Sequence, residues 1–258
     1  MTPTSATASL VNLAFEAGRE IMQVYATDFG THTKHDLSPV TDADEAAEKI
    51  ILAGLAKLHP GIPVISEEAA ASGRIPQVAS EFFLVDPLDG TKEFVSRNGE
   101  FTVNIARIEN GLPVVGVVYA PAIKRIFWGE AGKGAAEGRI AADGKVAWNR
   151  LTVRPCPRDG AVVVASRSHR DNATDDYLKT IKVAKLVSAG SSLKFCLIAA
   201  GEADLYPRFG RTMEWDTAAG HAVLLAAGGK VLNSDGAPLR YGKRERGFDN
   251  PGFIASAA

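Results

Sequence analysis

Residues 102–120, TVNIARIENGLPVVGVVYA, constrain the fold most. Two runs of β-branched and apolar residues flank Asn110-Gly111, a pair that accepts the positive φ angles of a tight hairpin turn. The spacing predicts an antiparallel hairpin. KRIFWGE, residues 124–130, reads as its continuation, and AGKGAAEG, residues 131–138, as a turn. The glycines of that turn do not follow the G-x-G-x-x-G order, so no dinucleotide site is expected there.

Upstream, LVNLAFEAGREIMQVYA (10–26) carries apolar residues at helical spacing, with Ser9 as the expected N-cap. A polar stretch follows. DEAAEKIILAGLAKLH (44–59) predicts a second helix, with Thr41 or Asp42 at its start and Pro60-Gly61 beyond its end. IPVIS (62–66) and FFLVD (82–86) read as short buried strands. Downstream the pattern alternates: GAVVVAS, AKLVS and ADLYPRF as strands, RDNATDDYLKTI, SLKFCLIAAGE and WDTAAGHAVLLAAGG as helices, the last closed by Gly228-Gly229. Hairpins followed by strand–helix alternation predict an α/β layered sandwich. The change of pattern predicts two subdomains, 1–157 and 158–258.

Composition excludes several functions. Lys and Arg number 29 against 30 Asp and Glu, leaving a net charge of −1 and no basic excess for nucleic acid. No apolar run reaches the roughly 18 residues of a membrane span. The N-terminus lacks the pattern of a signal peptide. Two cysteines, Cys156 and Cys196, form no disulfide framework or metal spacing. The expectation is a cytoplasmic protein, monomer or homodimer, with peripheral association at the inner membrane face left open.

Acidic residues stand at element junctions. Asp86 and Asp89 lie three apart where the FFLVD strand ends, Glu67 and Glu68 follow IPVIS, Asp44 opens the second helix, and Asp216 follows Trp215. Each alone also suits a helix cap or a turn. Together, Glu67, Asp86, Asp89 and Asp216 are placed to converge outside strand ends, where α/β folds gather ligands. Clustered carboxylates require cations. With no His or Cys among them, hard oxygen ligands favour Mg²⁺ over zinc. Gly90 lets a phosphate approach the backbone, the N–H groups of Gly90 and Thr91 suit an anion, and the Thr91 hydroxyl suits a water.

DPLDGT (86–91) resembles the D-P-[IL]-D-G-[ST] signature of the inositol monophosphatase superfamily of Mg²⁺-dependent, lithium-sensitive phosphatases. WDTAAGHAVLLAAGG (215–229) resembles its second signature, and SEE (66–68) and SPVTDAD (38–44) match two more motifs in order. The resemblance runs from about residue 10 to the C-terminus and implies an αβαβα sandwich. DPLDGTKEFVSRNGEFTVNIA, SRSH, GSSLKFC and LYPRFG are most similar to the branch of CysQ-type 3′(2′),5′-bisphosphate nucleotidases. Members of that branch hydrolyse 3′-phosphoadenosine 5′-phosphate (PAP) to AMP and phosphate, clearing a by-product of sulfate assimilation. SEEAAASG departs from it, since many relatives carry another acidic residue after the glutamates.

The resemblance implies that Glu67, Asp86, Asp89, Asp216 and the carbonyl of Leu88 hold two or three Mg²⁺ ions. It implies that Asp44 orients Thr91, that Thr91 and Glu67 activate the attacking water, and that attack is in line, without a phosphoenzyme. Lys194 and Arg208 suit a second phosphate, Arg by its planar fork and Lys as a point charge. Gly190, Ser191 and Ser192 offer further donors, and His169 a wall for the nucleotide; Asp216 also faces substrate. The bland alternatives are a snorkelling Lys194, a surface Arg208 and a surface His169. The substrate stays open among PAP, its sulfated relative PAPS (which would yield APS), inositol phosphates and fructose 1,6-bisphosphate. A non-catalytic nucleotide or metal binder is the alternative class. A serine hydrolase would need G-x-S-x-G, which is absent.

Overall fold

The structure is a computed structural model and describes residues 1–30, 32–33, 39–166 and 171–257. Its elements in chain order are α1 (Ser5–Tyr25), β1 (His32–Thr33), β2 (Pro39–Val40), α2 (Asp42–Leu58), β3 (Val64–Ser66), α3 (Glu67–Ala71), β4 (Glu81–Asp89), α4 (Thr91–Val95), β5 (Thr102–Glu109), β6 (Leu112–Ala120), β7 (Arg125–Glu130), β8 (Gly134–Ile140) and β9 (Val146–Leu151). Then come β10 (Ala161–Ser166), α5 (Asn172–Lys179), β11 (Val183–Ala189), α6 (Leu193–Ala199), β12 (Leu205–Arg208), α7 (Glu214–Ala226), β13 (Lys230–Asn233) and β14 (Phe253–Ser256), with a 3₁₀ turn at Arg244–Arg246.

Strands β3 to β9 form a seven-stranded sheet in sequence order, antiparallel except for the parallel pair β3/β4. Asn110 and Gly111, at φ 51° and 77°, make the hairpin turn between β5 and β6, and Glu109 pairs Leu112. The second sheet has the order β11-β10-β12-β14-β13, parallel on one side and antiparallel on the other. The chain passes from the first sheet to the second between Leu151 and Ala161.

The first sheet is apolar on both faces, which is why its strands read as nearly continuous hydrophobic runs rather than alternations. Phe83, Val85, Val103, Ile105, Val117 and Trp128 pack with α1 and α2. Phe82, Leu84, Ala106, Val118 and Phe127 pack with α6 and α7. The second sheet lies beyond α6 and α7, and α5 packs on β12, which gives the layers α, β, α, β, α. Helix α7 approaches the first sheet closely because two glycines face it. A methyl group at Gly116 would overlap the carbonyl of Ala219, and one at Gly129 would sit 2.6 Å from the Val223 Cα. Among the described residues, no helix is long and apolar enough to cross a membrane.

Two local expectations are corrected, and one strand went unread. Helix α1 starts earlier than Ser9: Thr4 is its N-cap, and the Ser9 hydroxyl donates to the Ser5 carbonyl inside the helix. Sequence periodicity missed this first turn because its stabilising contact is distant, the hydroxyls of Thr4 and Thr7 both donating to Glu130 Oε2 at 2.7 and 2.5 Å. Most of AGKGAAEG is strand β8, not turn; its small residues admit the neighbouring strand's side chains, and a methyl at Gly138 would lie 2.8 Å from the Trp148 ring. Strand β9, VAWNRL at the sheet edge, is half exposed, and its short apolar stretch at Val146–Trp148 is interrupted by Asn149 and Arg150.

Candidate active site

Strand β4 delivers two carboxylates to one side of the sheet. Residues three apart on a regular strand point to opposite faces. Here Asp86 pairs Asn104 and Asp89 pairs Thr102, so three steps on β4 match two on β5. That one-residue bulge at Pro87-Leu88 turns Asp89 to the same face as Asp86. Leu88 packs its side chain into the α1/α2 core, and its N–H donates to Asp86 Oδ1 at 3.1 Å. The parallel strand β3 ends alongside, and Glu67 is the first residue after it. Asp216 arrives from the other half of the chain as the third residue of α7, its Oδ2 accepting the Met213 N–H at 2.9 Å.

Carboxylate oxygens of Glu67, Asp86 and Asp216 all lie within 4.8 Å of one another. Asp89 stands beside them with Oδ2 committed: it accepts from Ser191 Oγ (2.7 Å), Ser192 N (2.8 Å) and Asn104 Nδ2 (3.1 Å). Desolvation in the cavity wall, then the charges of Asp89 and Glu67, hold the Asp216 carboxyl well above the ordinary carboxylate range. Desolvation raises Asp89 as well, against the opposing pull of Lys194 and its hydrogen bonds. Like-charged, desolvated carboxylates of this kind are relieved by a cation, and an all-oxygen donor set suits Mg²⁺. The residues present therefore fit a hard divalent ion.

Beside this cluster, Gly90 caps α4 at φ 93°, in the left-handed region. A methyl group there would also press within 3.3 Å of the Glu100 carbonyl. The Thr91 hydroxyl donates to Asp44 Oδ1 at 3.3 Å and lies 3.4 Å from the Leu88 carbonyl. Asp44 is fixed by a capping box on α2: its Oδ2 accepts the Thr41 N–H at 2.8 Å and the Thr41 hydroxyl at 2.7 Å.

Glu67, Asp86, Asp89, Asp216, Gly90 and Thr91 line a cavity of ≈ 460 Å³, together with two basic side chains. Lys194 is buried there, over the Tyr206 ring at 5.2 Å, its Nζ donating to the Ser191 carbonyl. Burial lowers its pKa to about 8, helped by Arg208 and opposed by Asp89, Glu93 and Asp216. Arg208 is also buried and lines the cavity; Nε donates to the Gly210 carbonyl (3.1 Å) and Nη2 to the Arg211 carbonyl (2.7 Å).

The structure thus brings Glu67, Asp86, Leu88, Asp89, Gly90, Thr91, Gly190, Ser191, Lys194, Arg208 and Asp216 to one cavity wall. The Gly190–Ser192 donors have inward partners. Gly190 N donates to Glu100 Oε2, Ser191 Oγ and Ser192 N to Asp89, and Ser192 Oγ to the Asp216 carbonyl. They tie the two halves of the site together. His169 lies outside the described residues. Sequence reasoning missed Asn104, fully buried, which donates to both Asp89 and Ser192 Oγ. Its one signal was an amide among the apolar residues of TVNIARIE.

The family model described as the inositol monophosphatase family matches residues 3–257. The chain belongs to the inositol monophosphatase family. Within it, the chain is 50% identical over 243 residues to the 3′(2′),5′-bisphosphate nucleotidase CysQ of Salmonella typhimurium, covering 93% of this chain and 95% of that protein. It is 48% identical over 246 residues to the CysQ of Escherichia coli K12, covering 95% and 96%. Among solved structures, CysQ from Bacteroides thetaiotaomicron, itself a bacterial member of the inositol monophosphatase family, superposes with a TM-score of 0.82 at 39% identity, over 98% of this chain and 97% of that one. Inositol monophosphatase from Anabaena gives 0.74 at 25%, over 97% and 89%.

Proposed function

We propose that this chain is a Mg²⁺-dependent phosphomonoesterase, a 3′(2′),5′-bisphosphate nucleotidase that hydrolyses PAP to AMP and phosphate. The observation that carries the reading is one cavity lined both by the crowded carboxylates Glu67, Asp86 and Asp216 and by the buried basic side chains Lys194 and Arg208. A substrate with two phosphates suits this pairing: a cation on the carboxylates for one phosphate, the basic side chains for the other. The similarity to the CysQ nucleotidases along nearly the whole chain supports the same choice.

In this reading Glu67, Asp86, Asp89, Asp216 and the Leu88 carbonyl hold two or three Mg²⁺ ions. When bound, the ions supply positive charge at the phosphoryl centre and make water more acidic there. The remaining work belongs to the chain. Asp44, saturated on one oxygen by Thr41, accepts the hydrogen bond of the Thr91 hydroxyl, so the Thr91 oxygen presents its lone pairs outward and accepts a hydrogen bond from the attacking water. Glu67 would take the water's other proton as the water oxygen bonds to phosphorus; the bond from phosphorus to the ribose oxygen breaks, and the leaving oxygen takes a proton from solvent. The N–H groups of Gly90 and Thr91 orient the phosphoryl oxygens at the start of α4. Lys194 and Arg208 hold the phosphate that is not cleaved.

The test is Mg²⁺-dependent phosphate release from PAP, PAPS, inositol 1-phosphate and fructose 1,6-bisphosphate. PAP should give the highest kcat/KM, vanishing in EDTA and returning with Mg²⁺. Arg208→Ala removes a charge-assisted contact of about 1.5–3 kcal/mol, which is roughly 10–150-fold in kcat/KM for PAP. Inositol 1-phosphate should barely respond. An equal fall for both substrates would instead assign Arg208 to shaping the turn at Gly210 and Arg211, and preferred turnover of inositol 1-phosphate would replace the nucleotidase reading.

A further inference from the structure

Helix α3 carries Glu67 and packs on the core through Ala70. It is five residues long, far below the length at which a helix is stable alone, and none of its residues is buried. Its N-cap, Ser66, makes no capping hydrogen bond through its side chain, and the Ser66 hydroxyl is buried without a partner among the described residues. The cap comes from another helix. Glu48 of α2 is 6% exposed, and its Oε1 accepts the N–H groups of both Glu68 and Ala69 at 3.1 Å. A carboxylate there is favoured by charge-assisted bonds and by the orientation of the helix dipole.

Glu48 follows Asp44 by one helical turn, so the two side chains share one face of α2. Asp44 reaches Thr91 and Glu48 reaches the turn that starts at Glu67. We propose that Glu48 is a positioning residue: from one face of α2 it fixes Glu67 against Thr91, setting the separation of the two groups that handle the attacking water. Helix α2 acts as a common brace, and its capping box at Thr41 sets the register of both arms. This rests on the reading of Glu67 as a cation ligand.

The experiment compares wild type, Glu48→Ala, Glu48→Gln and Glu48→Asp as full-length protein. Mg²⁺ binding is measured by calorimetry without substrate, and kcat and KM for PAP are measured at saturating Mg²⁺. Partners that orient metal ligands typically contribute about 10–100-fold to affinity or activity. Glu48→Ala should weaken Mg²⁺ binding by that factor and lower kcat, with KM for PAP unchanged. Glu48→Gln keeps an acceptor oxygen at the same reach and should restore most of the loss. If the alanine variant does not fold, Glu48→Asp decides: it keeps the charge but withdraws the acceptor by one carbon, and should show the weakened Mg²⁺ binding. Wild-type Mg²⁺ affinity in the folded Ala or Asp variant, even with a lowered melting temperature, overturns the proposal. The nucleotidase reading fails separately, if wild type binds Mg²⁺ yet releases no phosphate from PAP.

Discussion

Asp44 and Asp216 occupy the same position on two helices. Each is the third residue of its helix, and each turns back to accept the N–H of the residue before the first turn, Thr41 for α2 and Met213 for α7. By local structure they are interchangeable caps. Their surroundings separate them. Asp44 has an oxygen on each of two threonines, Thr41 and Thr91, and is not one of the three clustered carboxylates. Asp216 faces Glu67, Asp86 and Asp89, and its carboxyl is pushed well above the usual range. In the proposed function one geometry serves two kinds of chemistry, orienting a hydroxyl in the first case and holding positive charge in the second. What the neighbours contribute, not the cap, decides the role.

The sharpest break of this comparison is Asp216→Asn. It keeps the cap and removes the charge, so kcat/KM for PAP should fall by more than about 100-fold, the upper range for residues that merely support a ligand. Stability should move the other way. A carboxyl whose acidity is weakened by folding binds its proton more tightly in the folded chain, so its contribution to stability falls as pH rises above 3.8, its ordinary value. In EDTA, the melting temperature of Asp216→Asn should gain on wild type as pH increases past that point, and Mg²⁺ should stabilise wild type more than the variant. A variant that melts lower than wild type at neutral pH in EDTA would make Asp216 a structural cap like any other.

Asp44→Asn comes next. The amide still serves as a cap but no longer as an obligate acceptor for Thr91, so kcat should drop by about 10–100-fold, with KM and the Mg²⁺ requirement unchanged. A raised Mg²⁺ requirement would erase the distinction from Asp216. The smallest effect is expected from Thr41→Ala, which removes one capping hydroxyl. Stability should fall by about 1 kcal/mol, seen as a drop of roughly 2–4 °C in Tm, and kcat should fall less than in Asp44→Asn. A loss of kcat equal to that of Asp44→Asn would mean the Thr41 hydroxyl, and not the backbone, aims Asp44.

Much of the local structure was legible in these residues. Asn110-Gly111 located its hairpin, Gly228 closed α7 at φ 94°, and Thr41 capped α2, because turns and caps are decided within a few residues. Features set by distant partners were not legible. The first turn of α1 depends on Glu130, and β8 was hidden by its glycines, of which Gly138 leaves room for Val146 and Trp148. The site divides in the same way. DPLDGT pointed to the two strand-end aspartates, and Pro87 was a hint of the bulge that turns them to one side. Asn104, Glu48 and Glu100 act across the fold through hydrogen bonds to residues distant in sequence, and beyond the amide of Asn104 among apolar neighbours nothing around them in sequence distinguishes them from ordinary polar residues.

The close seating of α7 on Gly116 and Gly129 also has a consequence for synthesis. The face that α7 covers is complete once the ribosome passes Leu151, but Ala226 emerges only later, several seconds on at roughly 5–20 residues per second. During that interval Phe82, Leu84, Val118 and Phe127 have no helix from the second half of the chain to cover them. A nascent chain stalled before Glu214 should be a substrate for holdase chaperones and prone to aggregate, whereas one released past Ala226 should bury that surface within its own fold.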